Sequence, residues 1–304
     1  MRIETVLGPI SPEALGPTDF HDHLYGAPPE PYAREDPDLV LTDEAAALDE
    51  LHRFRAAGGT ALVECTTVDY RRDAGVLRRL SQASGVHIVA VTGFNKGKFS
   101  ARLVAGRPAE EWVARFVEDA RTGLDGTGAR PGAVKAGSSL DAFLPEEEAA
   151  FAIAAAVHGA TGLPVLTHTE AGTCGPEQLD RLEAAGVDPA SVILCHLDRK
   201  PDEGYLLGLA RRGCFLSFDQ VGKAKYRADR KRAEDLARLA AAGFLNRLLL
   251  GGDFARRSYW RAGGGALGPS YLLESFVPQL HEVGFTDAEV RQMLVLNPAR
   301  ALAF

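Results

Sequence analysis

Cysteine is scarce: the 304-residue chain has four, at 65, 174, 195 and 214. No two stand in a C-x-x-C spacing, which argues against a zinc ribbon or a thioredoxin-type redox pair. Three lie inside apolar runs (LVECTT, VILCHL, GCFLSF) and read as small buried thiols of a reducing compartment. No apolar run is long enough to cross a bilayer; the most apolar helix-like stretch, Ala149 to Val157, stops at His158. The opening MRIETVLGPIS lacks the basic-then-apolar layout of a secretory leader, so a cytoplasmic protein is expected. Positive charge is in deficit, with 34 Lys and Arg against 41 Asp and Glu and a net charge of −7. That argues against nucleic acid and against an anionic membrane as partner, since both need a basic face. A G-x-G-x-x-G after the first strand and a P-loop are also lacking, which leaves a doubly wound sheet as the weaker of two candidate folds.

Apolar residues at 46% and charged residues at 25% are those of a globular protein. The 32 glycines and 17 prolines are scattered and punctuate many short connections. Val/Ile/Leu-rich runs at 18–24, 60–66, 87–92, 132–136, 164–168, 191–196, 214–219 and 247–253 are continuous rather than alternating, as parallel strands buried on both faces should be. Helical patterns lie between them. Thr42 is expected to cap one that reaches about Ala57, Pro108 opens another to about Arg121, and Pro145 opens a third that Gly159 or Gly162 ends. Further helices fit 175–185, 202–212, 229–242 and 269–283, and Thr286 caps the last, to about 303. The pattern predicts an α/β protein, a (β/α)8 TIM barrel forming a single domain over 1–304. An N-terminal β-hairpin turning at Gly8-Pro9 is expected to plug the barrel floor, and the C-terminal helix is extra.

Of eight histidines, His52, His87, His158 and His281 fall in helical patterns or at a strand start and read as fillers. The other four, His21, His23, His168 and His196, sit at strand ends, where a barrel builds its active site. His21-Asp22-His23 aims two imidazoles the same way and Asp22 the other way, because side chains alternate along a strand. His168 ends strand five (PVLTH), His196 strand six (VILCH) and Asp253 strand eight (LLLGGD), while Lys135 lies in strand four (GAVKAG). Four imidazoles and a carboxylate are too many ligands for one catalytic zinc and suit two metals. A bridging anion between the cations is then wanted. Lys135 supplies one only if CO2 carboxylates it to a carbamate; the alternative is a buried lysine paired with Glu64.

FHDHL, LVECTT, VHIVAVTG, VKAG, VLTHTEAGT, ILCHLD, LGGD and NPARALA together resemble the phosphotriesterase family of the amidohydrolase superfamily, over nearly the whole chain. The resemblance implies that His21, His23 and Asp253 hold a buried metal. It further implies that His168 and His196 hold a second, and that carboxylated Lys135 bridges them with a shared hydroxide. Asp253 would carry the proton to the leaving oxygen. The N/O ligand set suits Zn2+, Mn2+ or Co2+.

Triester-hydrolysing members use an aspartate–histidine relay where this chain has Arg199 and Gln220. Acyl-homoserine lactonase members carry an arginine at Gln220 and a tyrosine near Phe94–Asn95. Basic residues follow three strands instead: Asn95-Lys-Gly-Lys98, Lys223-Ala-Lys-Tyr226 and Arg256-Arg-Ser-Tyr259. They resemble the branch that opens phosphorylated sugar lactones. Lys225, Arg256 and Tyr259, seconded by Lys98 and Lys223, are expected to grip an anionic lactone or ester substrate, under a lid at Gly263–Gly265. Organophosphate or aryl ester hydrolysis, acyl-homoserine lactone hydrolysis and a non-catalytic metal-binding scaffold are the alternatives. The resemblance also implies a homodimer.

Overall fold

The computed structural model describes residues 1–304. Two short antiparallel strands, β1 (Ile3–Thr5) and β2 (Gly8–Ile10), open the chain. Ile3 pairs with Ile10 and Thr5 with Gly8, so the turn is at Val6-Leu7 and not at Gly8-Pro9. Thr5 closes it: its hydroxyl donates to Gly8 O at 2.7 Å and accepts from Leu7 N at 3.3 Å. Ile3 packs with Leu15, Phe20, Leu249 and Leu302 at the base of the barrel interior, which makes the hairpin a floor plug.

Eight strands follow: β3 (Thr18–Asp22), β4 (Ala61–Glu64), β5 (His87–Gly93), β6 (Ala133–Ser138), β7 (Val165–Thr169), β8 (Val192–Cys195), β9 (Phe215–Phe218) and β10 (Leu248–Leu250). They pair in sequence order, every ladder parallel, and form a nearly closed barrel; no ladder joins β10 back to β3. Phe20, Val63, Val91, Leu166, Ile193, Phe215 and Leu249 fill the inside. Leu62 and Ile88 on one side, and Val134, Val165, Leu194 and Leu216 on the other, face the surrounding helices. Burial on both faces is why the strand sequences run apolar without alternation.

The helices are α1 (Glu30–Glu35), α2 (Glu44–Ala56), α3 (Ala74–Ser84), α4 (Gly97–Ala105), α5 (Ala109–Thr122), α6 (Pro145–Thr161), α7 (Gly175–Ala184), α8 (Glu203–Arg211), α9 (Asp229–Leu239), α10 (Val277–Glu282), α11 (Asp287–Arg291) and α12 (Asn297–Leu302). Asp43, not Thr42, caps α2, its carboxylate accepting from Ala46 N. α1, α3 and α4 lie outside the sequence expectation. α4 starts on Gly97-Lys98 within a basic stretch that reads as loop, although Asp73 and Gly85 are ordinary boundaries for α3. The expected helices at 269–283 and 286–303 each contain a widened π-turn, Leu272–Phe276 and Gln292–Leu296. Both widenings come just before a proline, Pro278 and Pro298, whose missing N–H and bulky ring do not fit a regular turn. No helix is long and apolar enough to cross a membrane.

Candidate active site at the barrel mouth

The strand ends converge on one cleft of about 270 Å³. His21, His23, Lys135, His168, His196 and Asp253 all line it. The His21 ring centroid lies 5.6 Å from that of His23 and 4.7 Å from that of His196, and the His168 centroid is 4.5 Å from His196. Asp253 Oδ1 stands 3.5 Å from His23 Nε2 and 3.8 Å from His21 Nε2. The six residues expected to ligate metal are therefore brought together at one end of the barrel.

The surroundings aim these side chains. His23 Nδ1 pairs with Thr66 Oγ1 at 2.8 Å, and Thr66 in turn donates to Glu64 Oε1 at 2.5 Å, so His23 turns its Nε2 to the cleft. Asp219 serves two rings: its Oδ1 takes His196 Nδ1 at 2.6 Å, and its Oδ2 lies 3.4 Å from His21 Nδ1. Burial pushes His21 down to about 3, so the ring is neutral at physiological pH and, with Nδ1 facing Asp219, its Nε2 is free to serve as a ligand. Burial alone would raise Asp219, but His196 and His21 outweigh it and hold this carboxyl well below the usual range. Asp253 is likewise held low: Lys223 and the histidines overcome its burial.

The expected alternative for Lys135, a pair with Glu64, does not form. Lys135 is buried, its Nζ donates only to Cys65 O at 2.9 Å, and Glu64 is taken up by Leu24 N, Thr66 N and the Thr66 hydroxyl. A buried ammonium without a carboxylate partner is costly. His21, whose two buried ring nitrogens have no good hydrogen bond, is in a similar position. The orphaned imidazole is what a cation site presents, and the donor set (imidazoles, a carboxylate, and Lys135 if carboxylated) fits divalent metal. His21, His23 and Asp253 are close enough together to hold one ion.

The residues expected to grip an anion fare differently. Lys98, Lys223, Arg256 and Tyr259 line the cleft; Lys225 stands just outside, its Nζ 5.3 Å from the Tyr259 ring and 4.8 Å from the Tyr226 ring. Lys98 is exposed and lies over Tyr32. Lys223 is buried and committed to the metal end, its Nζ 2.9 Å from Asp253 Oδ2 and 3.1 Å from Gln220 Oε1. Arg256 is bidentate to Asp36 (2.7 and 3.1 Å) and reaches Asp38 at 3.3 Å. The Gly263–Gly265 turn does not line the cleft: Gly263 and Gly265 bond back to Trp260 O. The cleft is covered instead from the β3 side, by Tyr32, Asp36 and Leu39.

Sequence reasoning missed a second charged group. Glu170 accepts from Lys96, from His168 Nε2 at 3.1 Å and from Arg199 Nη1 at 3.3 Å, and Arg199 lies 4.3 Å from the Tyr226 ring centroid. Burial would raise Glu170, but His168 and Lys96 hold it far down. Arg199 thus brings a second guanidinium into the cleft, at a position read from the sequence only as a missing relay residue. Asp219 carried a usable signal, since it ends the seventh barrel strand (CFLSFD) as Asp253 ends the eighth.

A profile of the phosphotriesterase family matches residues 1–302. A phosphotriesterase homology protein from Escherichia coli is 36% identical over 264 residues, covering 86% of this chain and 90% of its own. A phospho-furanose lactonase from Mycoplasmopsis synoviae is 32% identical over 325 aligned positions, covering 99% and 91%. The crystal structure of a lactonase from Listeria monocytogenes superposes with a TM-score of 0.96 at 30% identity, covering 100% of this chain and 99% of its own. The chain is a hydrolytic enzyme and belongs to the phosphotriesterase family.

Proposed function

We propose that the enzyme is a dinuclear metal-dependent lactonase that opens 5-phosphorylated aldono-1,4-lactones. The observation that carries the reading is that one cleft gathers two sets of groups: four imidazoles, Asp253 and Lys135, and beside them Arg199, Arg256, Lys98 and several tyrosines. The relatives named as lactonases, one of them a phospho-furanose lactonase, point the same way.

In this reading His21, His23 and Asp253 would hold one cation and His168 and His196 the other, with Lys135, once carboxylated, supplying the anionic ligand the pair needs. Zn2+ suits the set best, with Mn2+ or Co2+ as substitutes. Bound there, the metals supply Lewis-acid polarisation of the lactone carbonyl and a water acidic enough to attack at neutral pH. The protein does the rest. Gln220 Nε2, at 2.7 Å, and Lys223 occupy Asp253 Oδ2, leaving Oδ1 towards the histidines. Asp253 takes the proton of the attacking water and returns it to the leaving ring oxygen. Arg199, Arg256 and Tyr259, with Lys225 at the rim, hold the phosphate. A grip on the phosphate, away from the reacting carbonyl, lets binding energy orient the ester bond. The absence of an aspartate–histidine relay, its positions taken by Arg199 and Gln220, disfavours triester hydrolysis.

Metal analysis of the purified protein, joined to a panel of 1,4-lactones with and without a 5-phosphate, tests the reading. About two metals per chain and a preference for the phosphorylated lactones are expected. Faster turnover of long-acyl homoserine lactones or of paraoxon would overturn the substrate, and a metal-free, inactive protein would favour the scaffold alternative.

A further inference from the structure

The barrel is stitched shut where its metal ligands sit. β3 carries His21 and leads into His23, Asp253 follows β10, and these two strands share no ladder. Three consecutive amides after β10 nevertheless all donate towards β3. Gly252 N reaches Asp19 Oδ1 at 3.2 Å, Asp253 N reaches His21 O at 2.7 Å, and Phe254 N reaches Asp22 Oδ1 at 2.8 Å. In a regular strand successive amides point to opposite sides. Here Asp253 has φ +49°, a left-handed conformation uncommon for a residue with a side chain, which turns the Phe254 N–H to the same side as its own.

Each seam carboxylate oxygen is shared between the two strands. Asp22 Oδ1 also accepts from His23 N at 2.7 Å, and Asp19 Oδ1 also accepts from His21 N at 3.2 Å. Asp22 therefore ties the amide of one proposed ligand, His23, to the amide following another, Asp253. Both aspartates are fully buried, and their second oxygens have no partner, so their contribution at the seam comes through one acceptor oxygen each. No room exists for a tighter closure: a Cβ on Gly251 would stand 2.8 Å from His21 N.

We propose that Asp22, seconded by Asp19, is a positioning residue of the metal centre. It replaces the missing ladder between the first and eighth barrel strands, holds Asp253 in its left-handed turn, and so sets Asp253 against His21 and His23. Asp22 is the central residue of the H-x-H pair; its side chain faces away from the cleft and takes no part in the reaction. The inference rests on the dinuclear reading for the role of these ligands, but the geometry it explains does not depend on the metal.

The test compares wild type with Asp22→Asn, Asp22→Ala and Asp22→Ser. Asparagine keeps the acceptor oxygen and removes the charge; alanine removes the acceptor, and serine is too short to span both amides. Each protein is loaded with Co2+, and three quantities are read: metals per chain, the visible ligand-field spectrum, and the rate of loss to a chelator. Asp22→Asn is expected to keep two metals and the wild-type spectrum. Asp22→Ala and Asp22→Ser are expected to bind one of the two metals about 10–100-fold more weakly, the range seen when a ligand loses its supporting hydrogen bond. If alanine prevents folding, the asparagine–serine comparison carries the test. Full, tight metal loading in the serine variant would overturn the inference, as would equal weakening in the asparagine and serine variants, which would make charge rather than the acceptor the cause. A wild type that binds no Co2+ would instead overturn the dinuclear reading and leave the seam to be judged by protection of the Gly252 and Phe254 amides from exchange. That protection should be lost in Asp22→Ser at Phe254, and its retention there would refute the tie.

Discussion

Replacing Asp36 by asparagine should improve the enzyme's grip on a phosphorylated substrate. Arg256 faces the cleft, but its guanidinium already holds a carboxylate in a two-bond fork, at 2.7 and 3.1 Å. That partner, above all, raises the guanidinium further above its ordinary value. An incoming phosphate has to share or displace it. Arg256 and Asp36 side chains are 31% and 38% exposed, so the pair is screened by water. Pairs of that kind contribute about 0.2–1 kcal/mol, and the fork geometry puts this one near the top of the range. Removing the competing charge is worth about two- to fivefold in affinity, since 1.4 kcal/mol is tenfold. An opposing effect is loss of orientation, because Asp36 also steers the guanidinium. It is the smaller of the two, because Asp38 keeps a contact to Arg256 Nη1 at 3.3 Å and is itself anchored by Ser258 N and Oγ at 2.8 and 2.6 Å. The assay is a pair of Michaelis curves on one 1,4-lactone with and without its 5-phosphate. KM for the phosphorylated lactone should fall by about two- to fivefold with kcat unchanged, and KM for the unphosphorylated one should not move. An unchanged KM, or an equal shift on both lactones, would show that Arg256 does not receive the phosphate, and a rise confined to the phosphorylated lactone would show that Asp36 orients Arg256 more than it competes for it.

Lys135→Ala should lose at least one metal per chain by elemental analysis, because the proposed bridge is gone; an unchanged metal content refutes the bridge. Arg232→Met should cost about 3–5 kcal/mol in urea denaturation, the penalty for breaking a buried ion pair. Arg232 is fully buried against Asp198 and Asp229, and Asp198 also fixes Gln220 N at 3.1 Å, so an unaltered midpoint would contradict that account. His87, at the start of β5, is held below its ordinary value of 6.5 by partial burial and then by Arg55. A depressed histidine favours the folded chain above the unfolded value and loses that advantage on acidification. The melting temperature of wild type should therefore fall relative to His87→Gln between pH 7.5 and 5.5, and a pH-independent difference would refute the shift.

The barrel was legible because its strands are buried on both faces, which leaves long apolar runs with polar residues gathered mostly towards the mouth. The same rule located the six proposed ligands: five lie at or just past the end of a strand run, and Lys135 is a charge inside one. What the sequence hid is long-range pairing. Nothing in Asp36 or Arg256 announces the other across some 220 positions, so Arg256 read as a free cation. Lys223 likewise reads as a substrate contact, because nothing in the sequence pairs it with Asp253, itself read as ligand and proton carrier. The two π-turns escaped because helical periodicity survives one extra residue, although the prolines that cause them are plainly visible. Asp22 points away from the imidazoles, as strand alternation predicts; what it points at depends on a seam that strand patterns do not reveal.

Asp219 lies between the two halves of the proposed centre, touching His196 from one set of ligands and His21 from the other. Orienting either ring orients the carboxylate, and with it the other ring. The first ion captured thereby lowers the ordering cost for its neighbour. Uptake by the stripped enzyme should then be cooperative, and partially loaded preparations should be mixtures of full and empty molecules more than populations of singly occupied ones.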